Sequence, residues 1–366
     1  MYHSNCLLMH MAGQVLPYAW GISMKKTKIW GLLFCVIACL TVWAVISQSR
    51  SFSLVQFRNT LLGSSAGWMI AAVLSMLGFI LFEGAALLCI VKAFGYRRSF
   101  GRGFLYSAAD IYFSAITPSA TGGQPASAYF MMQDGIPGAV VTISLVANII
   151  IYTLALLTVG TLGFVIRPDI FFHFHWPGRI LIGLGYIILL GLTAAFFMLI
   201  AKPRILEKIC WFFLKLGKKL HLVKSEEEKK RRLYHVMKDY RKCADAMAGN
   251  KIMFMKAFIF DLLQRLSQIT VTLLVYMAID GRAAMALDVW VTQCFVTIGT
   301  YSVPIPGGMG IADYLLIDGF QAFADEADAV NLELISRGVS FYICLIISAL
   351  TVLAGMIYTR KRRNLR

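Results

Sequence analysis

The sequence predicts an all-α polytopic membrane protein with six full spans plus two broken or re-entrant helix pairs arranged as an inverted repeat. Hydrophobic residues make up 58% of the 366 residues, charged residues only 15%, and the mean hydropathy is +0.70. Soluble domains contain roughly 45–50% apolar and about 25% charged residues. The chain is nevertheless basic, with 35 Lys and Arg against 19 Asp and Glu. Together these values exclude a soluble enzyme, a disordered tail and a secreted disulfide scaffold.

Six apolar runs approach the roughly 20 residues that a helix needs to cross a bilayer. They are Ile29–Ile46, Gly67–Val91, Ala139–Ile166, Ile180–Ala201, Ile252–Ile279 and Gly338–Thr359. Two further apolar regions, Phe104–Met132 and Val289–Phe323, are interrupted by Pro and Gly. Their halves, of about 10–17 residues, are too short to cross comfortably at a rise of about 1.5 Å per residue.

The distribution of cations predicts the orientation. Most of the 35 Lys and Arg fall in loops on one side of this topology, so the positive-inside rule places both termini in the cytoplasm. This holds whether the broken regions return to their starting side or cross fully. The predicted external side carries only six arginines, which are Arg50, Arg58, Arg167, Arg179, Arg282 and Arg337. Arg265 lies within a span.

The chain is expected to form one membrane domain. Residues 1–23 carry no Lys, Arg, Asp or Glu, and Met24-Lys25-Lys26 opens directly onto the first apolar run. We therefore expect translation to start at Met24, so that residues 1–23 are a doubtful N-terminal extension. The single membrane domain, 24–366, then contains three parts. They are repeat 1 (67–166), a basic cytoplasmic helical loop (202–251) and repeat 2 (252–359).

The basic loop 202–251 has two possible roles. Its cations and its apolar stripe, which includes Leu233, Val236, Met237 and Tyr240, fit a surface that binds anionic lipid headgroups. An ordinary solvated surface helix fits equally well, and so does a scaffold that docks another protein. Its composition lacks the groove-reading elements of a nucleic-acid binder, so no nucleic-acid partner is expected.

The two broken regions resemble each other. Aligning Gly122-Gly123 with Gly307-Gly308 also aligns Tyr129 with Tyr314, and a proline precedes each glycine pair. In the predicted topology the two units run in opposite directions. Inverted repeats with interrupted helices are typical of transporters, whose binding site lies where the breaks meet. Two kinked helices that merely pack together remain the alternative.

Helix starts at the two breaks predict an anion site. We expect the second half-helices to begin near Gly123 and Gly308, with Thr121 as the N-cap of the first. Free N–H groups and the helix dipole at such a start favour a phosphate. A Walker-type loop is excluded because Gly-Lys-Ser/Thr does not follow either glycine pair.

Charged groups inside spans are functional candidates because their insertion costs about 2.5–3.5 kcal/mol. Arg265 or Arg337 would bind a lipid phosphate, since guanidinium matches phosphate geometry. Asp313 would contact a cationic headgroup or a coupling ion. The predicted substrate-binding set is Thr121, Gly122, Gly123, Gln124, Pro306, Gly307, Gly308, Asp313, Arg265 and Arg337.

Plain structural roles compete with these assignments. An ion pair between Asp261 and Arg265, four residues apart, would satisfy both charges, and Arg337 could extend its side chain to the membrane surface. The sequence shows no Ser or His next to an intramembrane carboxylate, so no catalytic residue is assigned. His173 and His175 form too weak a pattern for a metal site, and no cofactor is expected.

The motifs resemble a known family. Thr117-Pro118-Ser-Ala-Thr-Gly-Gly-Gln-Pro125, Gly135-Ile136, the span with Asn148, Pro304-Ile-Pro-Gly-Gly-Met-Gly-Ile-Ala-Asp313 and the later Arg337 resemble the lysylphosphatidylglycerol synthase membrane-domain family. This flippase-like resemblance extends from about Met24 over nearly the whole chain. It implies a multi-pass protein of the bacterial inner membrane that moves phospholipid, typically aminoacylated phosphatidylglycerol, between leaflets. Family members with an added soluble domain make lysylphosphatidylglycerol and give resistance to cationic peptides.

Departures from the family pattern limit what the resemblance implies. The chain stops at Arg366, directly after its last span, so the soluble aminoacyl-transfer domain is expected to be absent and lysyltransferase activity is not expected of this chain alone. Gln124 and Ala126 stand where much of the family has charged residues, and Asp313 stands where Glu is common. A flippase of aminoacylated phosphatidylglycerol, or of a related anionic or lipid-linked substrate, is the first hypothesis. The alternative is the membrane subunit of a phosphatidylglycerol lysyltransferase-type system with a separate soluble enzyme as partner.

Overall fold

The computed structural model describes most of the chain from Leu54 to Asn364. The described residues are 54–117, 122–202, 237–238, 240–245, 247, 249–279, 281–303, 310–321 and 325–364. Within these residues all regular structure is helical. The predicted span Ile29–Ile46, the extension 1–23 and residues 203–236 of the basic loop lie outside them, as do four predicted site residues. Those four are Thr121, Pro306, Gly307 and Gly308.

Twelve labelled helices follow one another in the described residues. They are α1 (Leu54–Gly63), α2 (Ala66–Ala93), α3 (Phe100–Ile116), α4 (Gly123–Gln133), α5 (Gly138–Ile166), α6 (Pro168–His173), α7 (Trp176–Ala201), α8 (Lys251–Ala278), α9 (Ala286–Thr300), α10 (Ile311–Phe320), α11 (Glu326–Arg337) and α12 (Cys344–Asn364). A 3-10 turn, Ala283–Met285, precedes α9, and a π-helical segment, Gly338–Ile343, joins α11 to α12.

Five of the six predicted spans are confirmed as long apolar helices. The helices α2, α5, α7 and α8 match their predicted bounds within a few residues, and the fifth lies within a helix over Asp328–Thr359. The described residues contain six helices long and apolar enough to cross a membrane. The chain is therefore a helical, multi-pass membrane protein.

The sixth such helix corrects one expectation. Ala283–Thr300 has 18 residues, enough to cross, whereas the sequence predicted a half-helix too short to do so from Val289. The 3-10 turn and the first residues of α9, among them Asp288, extend the helix upstream of Val289. Arg167 binds Asp288 at 2.5 Å between guanidinium and carboxylate, which neutralises that charge.

The last span also begins earlier than predicted. The sequence placed its start at Gly338 because Glu326–Arg337 is rich in polar residues, but the structure continues α11 directly through the π-helical segment into α12. Asn331, Glu333 and Ser336 are buried on α11. A search for apolar runs misses this part of the span, because it assumes that every face of the helix contacts lipid. Here the polar side chains contact protein instead. Segments of π-helix are often found at functional sites.

Helices α2 and α8 pack against each other along their length at the centre of the molecule. Ser75 donates to the carbonyl of Ser267 across this interface at 2.8 Å, and a Cβ on Gly78 would lie 3.1 Å from the Ser267 hydroxyl. On its other side α2 meets α3, where a Cβ on Gly84 would lie 2.6 Å from the Gly103 carbonyl carbon. Small residues permit such close helix contact inside a membrane.

The remaining helices are arranged similarly around α2 and α8. Helix α3 packs on α2, on α4 and on α12, whereas α9 packs on α8, on α10 and on α5. Each broken region thus contacts the central helix of its own predicted repeat and the last span of the other. Helices of the two predicted repeats are thus interleaved around the α2–α8 pair.

The end of α7 and the last part of the basic loop pack onto the protein. Met237 and Tyr240, two members of the predicted apolar stripe, are buried in a cluster with Ile143 and Met253, and the Tyr240 hydroxyl donates to the Leu199 carbonyl at 3.3 Å. The described end of the loop is therefore attached to the membrane domain through that stripe.

Polar contacts fasten the two ends of α6 to α9 and α10. The backbone N–H and the ring of His175 both contact the Asp318 carboxylate, and Arg167 binds Asp169 as well as Asp288. Hydrogen bonds from Arg167 hold the pKa of the exposed Asp169 below its ordinary value. His175 is thus engaged with Asp318, and no group of three metal-binding side chains occurs among the residues described.

Candidate functional site

Arg265 is a buried cation at the centre of the molecule. It lies on α8, 2% exposed, with its guanidinium 4.0 Å from the centre of the Tyr152 ring and 5.2 Å from that of Phe79. One guanidinium nitrogen donates to Gln268 at 2.6 Å, while Nε has no hydrogen-bond partner among the described residues. No carboxylate of the described residues forms an ion pair with it. Such a cation retains a strong capacity to bind an anion.

Two tyrosines connect Arg265 to the second break. The hydroxyls of Tyr152, on α5, and Tyr301, the residue that ends α9, form a hydrogen bond. Both tyrosines act on Arg265 electrostatically. Because Tyr301 lies where α9 stops, this contact joins the last span of repeat 1 to the break of repeat 2 beside the guanidinium.

Two carboxyl groups connect Arg265 to the first break. Glu83, on α2, accepts hydrogen bonds from Ser107 at 2.8 Å and from the Gln264 amide at 3.2 Å. Asp110 follows Ser107 by three residues on the same face of α3, and its charge acts on Glu83. The field of Arg265 acts on Glu83, so cation and carboxyls share one buried polar centre. We call Glu83, Asp110 and Arg265 the central triad.

The first half-helix starts against this triad. Helix α4 begins at Gly123 with Gly122, rather than Thr121, as its N-cap, and Pro125 lies in the first turn as predicted. The Gln124 side chain donates to Asp110 at 3.0 Å, and the Gly122 N–H donates to the Thr117 hydroxyl at 2.8 Å. The start of α4 therefore lies beside the Asp110 carboxyl, where its dipole favours negative charge.

Gly123 is expected to tolerate no side chain. A Cβ there would overlap the Asp110 carboxyl and the Ser114 hydroxyl and lie 2.6 Å from the Asp110 carbonyl oxygen. We expect Gly123→Ala to lower the free energy of unfolding by about 1–3 kcal/mol through overpacking. Thermal unfolding in detergent would measure this.

Gly101→Ala on α3 is the matched control. A Cβ at Gly101 meets nothing within 4 Å, so alanine there should raise the unfolding temperature slightly, because it lowers the entropy of the unfolded chain. Equal melting temperatures for the two variants would contradict the packing of α4 on Asp110.

A second charged cluster lies on α10 and α11. Arg337 contacts the Asp313 carboxylate at 2.6 Å, and both side chains are largely buried, at 12% and 4% exposure. The other Asp313 oxygen accepts the Gly310 N–H at 2.8 Å and so caps α10. The Glu333 side chain is buried near Asp313, and neither of its oxygens accepts a hydrogen bond within the described part of the chain.

The second half-helix starts later than predicted. Helix α10 begins at Ile311, after Gly310 with a φ of 84°, rather than near Gly308. Glycine adopts this left-handed conformation readily, and the Asp313 carboxylate then caps the turn. The anion position at this helix start is thus occupied by the protein's own side chain.

The predicted site residues separate into two places. Gly123 and Gln124 lie beside Asp110 in the central triad, to which Arg265 belongs, and Gly122 is the N-cap before them. Asp313 and Arg337 lie together in the second cluster. The alternative role of Arg337, extension of its side chain to the membrane surface, is not observed, because the side chain is largely buried and paired with Asp313.

Two interpretations of polar neighbours do not hold among the described residues. Asp261 is fully buried and the Arg265 charge acts on it, but neither of its oxygens has a hydrogen-bond partner there, so the alternative in which the two form a salt bridge is not observed. Ser107 and Ser114 do lie next to intramembrane carboxyls, contrary to expectation, and donate to Glu83 and Asp110. The Ser114 contact spans one helical turn, and its i,i+4 spacing from Asp110 could have revealed it.

Sequence reasoning missed Glu333, Tyr152 and Tyr301 as site residues. Glu333 precedes Arg337 by four residues, a spacing that places both on one face of α11, but the polar segment had been excluded from the last span. The two tyrosines come together only through the packing of α5 on α9, which no local spacing encodes.

Comparison with known families agrees with this architecture. Residues 29–348 match the family model described as the lysylphosphatidylglycerol synthase TM region. No curated protein matches the chain. Because the model covers most of the sequence, the chain belongs to this family. It is therefore a membrane protein of a family linked to lysylphosphatidylglycerol metabolism or transport.

Proposed function

We propose that this member of the lysylphosphatidylglycerol synthase membrane-region family is a flippase of the bacterial inner membrane with cytoplasmic termini. Its substrate is an aminoacylated phosphatidylglycerol or a related phospholipid. The observation that carries this proposal is Arg265, a buried guanidinium with a free Nε and no ion pair among the described residues. A buried charge of this kind is costly, and the cost is offset when a ligand supplies the missing partner.

The lipid phosphate is assigned to Arg265. The planar guanidinium can donate two parallel hydrogen bonds to phosphate oxygens. The start of α4 supports the same charge, since the first-turn N–H groups of Gly123 and Gln124 precede the first intrahelical bond, from Ala126 to Gly122. Tyr152 and Phe79 shield the pair from water by flanking the guanidinium.

The ammonium of an aminoacyl headgroup is assigned to Glu83 and Asp110. Asp313, the residue expected for this role, is committed to Arg337 and to the cap of α10. Glu83 and Asp110 instead lie in the field of Arg265, so a headgroup with a phosphate and an ammonium meets both signs of charge within the central triad.

Alternating access is proposed to arise from two inverted repeats. The cross-packing of α3 on α12 and of α9 on α5 supports this, as do the contacts of the triad with the start of α4 through Gln124 and with the end of α9 through Tyr152 and Tyr301. Rocking of one repeat against the other would open the triad to each leaflet in turn. The Tyr152–Tyr301 contact connects the two repeats beside Arg265 and would break and re-form in that cycle.

Lipid movement in proteoliposomes tests the proposal. Purified protein should accelerate transbilayer movement of labelled lysylphosphatidylglycerol, and of phosphatidylglycerol less, relative to protein-free vesicles. Phosphatidylcholine is the comparison lipid, because its quaternary ammonium cannot donate a hydrogen bond to Glu83 or Asp110. Equal rates for all three lipids would contradict a specific headgroup site. Formation of lysylphosphatidylglycerol by the purified protein, given lysyl-tRNA, would instead support the membrane-enzyme alternative.

A further inference from the structure

The two carboxyls of the central triad are neighbours. Ser107 on α3 donates to Glu83 at 2.8 Å, and Asp110 lies three residues after Ser107, on the same face of that helix. Two neighbouring carboxylates in a buried site do not both ionise readily. The remaining partners of both groups, Ser107, Ser114, Gln124 and Gln264, are neutral donors.

The surroundings of Glu83 indicate a site that exchanges a ligand rather than a closed network. Gln264 is fully buried and directs its amide nitrogen to Glu83, while its carbonyl oxygen has no partner in the part of the chain that the structure describes. The same holds for Nε of Arg265, the following residue. Unsatisfied buried polar atoms of this kind are rare in closed polar networks, where each costs about 1–3 kcal/mol.

We infer that the proton shared by Glu83 and Asp110 is exchanged for the ammonium of an aminoacyl-lipid headgroup, so that substrate binding releases one proton. In the empty site the two carboxyls carry one proton and one negative charge, which Arg265 balances. When the headgroup binds, the proton leaves to water and the ammonium takes its place between two carboxylates. The net charge of carboxyls plus occupant is the same before and after, so the exchange adds no buried charge. This inference rests on the proposed function of the same site.

The proton equilibrium depends on a few neighbouring groups. The titratable or charged side chains that face Glu83 are Asp110 on α3, Arg265 on α8, Tyr152 on α5 and Cys344 at the start of α12. Only Arg265 is a cation. Its charge stabilises the doubly ionised state that the bound ammonium requires, which links proton release to an intact Arg265.

Proton release on binding is the direct measurement. Short-chain lysylphosphatidylglycerol is added to the purified protein in weakly buffered detergent with a pH indicator, at pH 6, below the ordinary α-amino pKa of about 7.7. We expect about one proton released per lipid bound. Short-chain phosphatidylglycerol, which carries no ammonium, should release none, and lysine ethyl ester, which carries no phosphate, should neither bind nor release protons.

Variants separate this exchange from simple binding. Glu83→Gln and Asp110→Asn remove the second carboxyl, so we expect lipid-linked proton release to fall to near zero in each. Asp328→Asn, which changes an exposed carboxylate on α11, is the control and should release as much as the unchanged protein. Using two variants guards against one of them failing to fold.

The outcomes distinguish this inference from the function beneath it. Binding of lysylphosphatidylglycerol without proton release would overturn the exchange and leave the flippase proposal standing. Failure of the lipid to bind or move at all would overturn both. Proton release that persists in Glu83→Gln and Asp110→Asn would show that another group gives up the proton.

Discussion

Replacement of Arg265 by glutamine is expected to reduce movement of a phosphate-bearing lipid by more than about 30-fold. Loss of one partner from a buried charged hydrogen-bonded pair costs roughly 2–5 kcal/mol, and about 1.4 kcal/mol corresponds to a factor of ten. Arg265→Lys should recover part of the rate, because it keeps the charge but loses the planar fork that matches phosphate. Rates of transbilayer movement in proteoliposomes measure both effects.

The same substitution is expected to leave the fold as stable as before, or more stable. Arg265 has no ion pair among the described residues, so glutamine breaks no salt bridge, and the carboxyls that its charge balances can bind a further proton in its absence. The lost contacts are with Gln268 and with the rings of Tyr152 and Phe79. A residue whose removal lowers activity but not stability is typical of a binding site.

Arg58→Gln is the matched control for Arg265. It removes an exposed arginine on α1 and should change neither lipid movement nor the melting temperature. A fall in the melting temperature of Arg265→Gln with unchanged lipid movement would assign Arg265 a structural role and would contradict the proposed site.

Hydropathy predicted most of the helical architecture because lipid contact dominates the long spans. Helices α2, α5, α7 and α8 end within a few residues of their predicted limits. Prediction failed where polar side chains face protein instead of lipid. Glu333 on α11 is buried against Asp313, and Asp288 at the start of α9 is neutralised by Arg167, so both helices extend beyond their apolar runs.

The sequence identified Arg265 and the first break but not the neighbours that give them a role. A lone arginine in an apolar run is visible in any hydropathy analysis. That Arg265 lies beside Tyr152 and Glu83, and not in a pair with Asp261, depends on the packing of α8 between α2 and α5. Contacts between distant helices carry no local signal, so the central triad could not have been assembled from spacing alone.

Loss of Arg337 is expected to be the most destabilising change in the second cluster. Arg337→Gln leaves the buried Asp313 carboxylate without its cation, next to the buried Glu333 carboxyl. Breaking a buried ion pair by removal of one partner costs about 3–5 kcal/mol. Thermal unfolding in detergent should show a large fall in melting temperature, and Arg337→Lys should restore part of it.

Asp313→Asn is expected to cost less than Arg337→Gln. Glu333 lies close enough for the Arg337 charge to act on it, so it can ionise and replace Asp313 as the partner of the guanidinium. The asparagine oxygen can still accept the Gly310 N–H that caps α10. The double variant Asp313→Asn/Glu333→Gln removes both acidic partners and should therefore approach the loss seen with Arg337→Gln. If Asp313→Asn alone destabilised the protein as much as Arg337→Gln, Glu333 would have no part in balancing the charge, and the cluster would be a simple pair that caps α10.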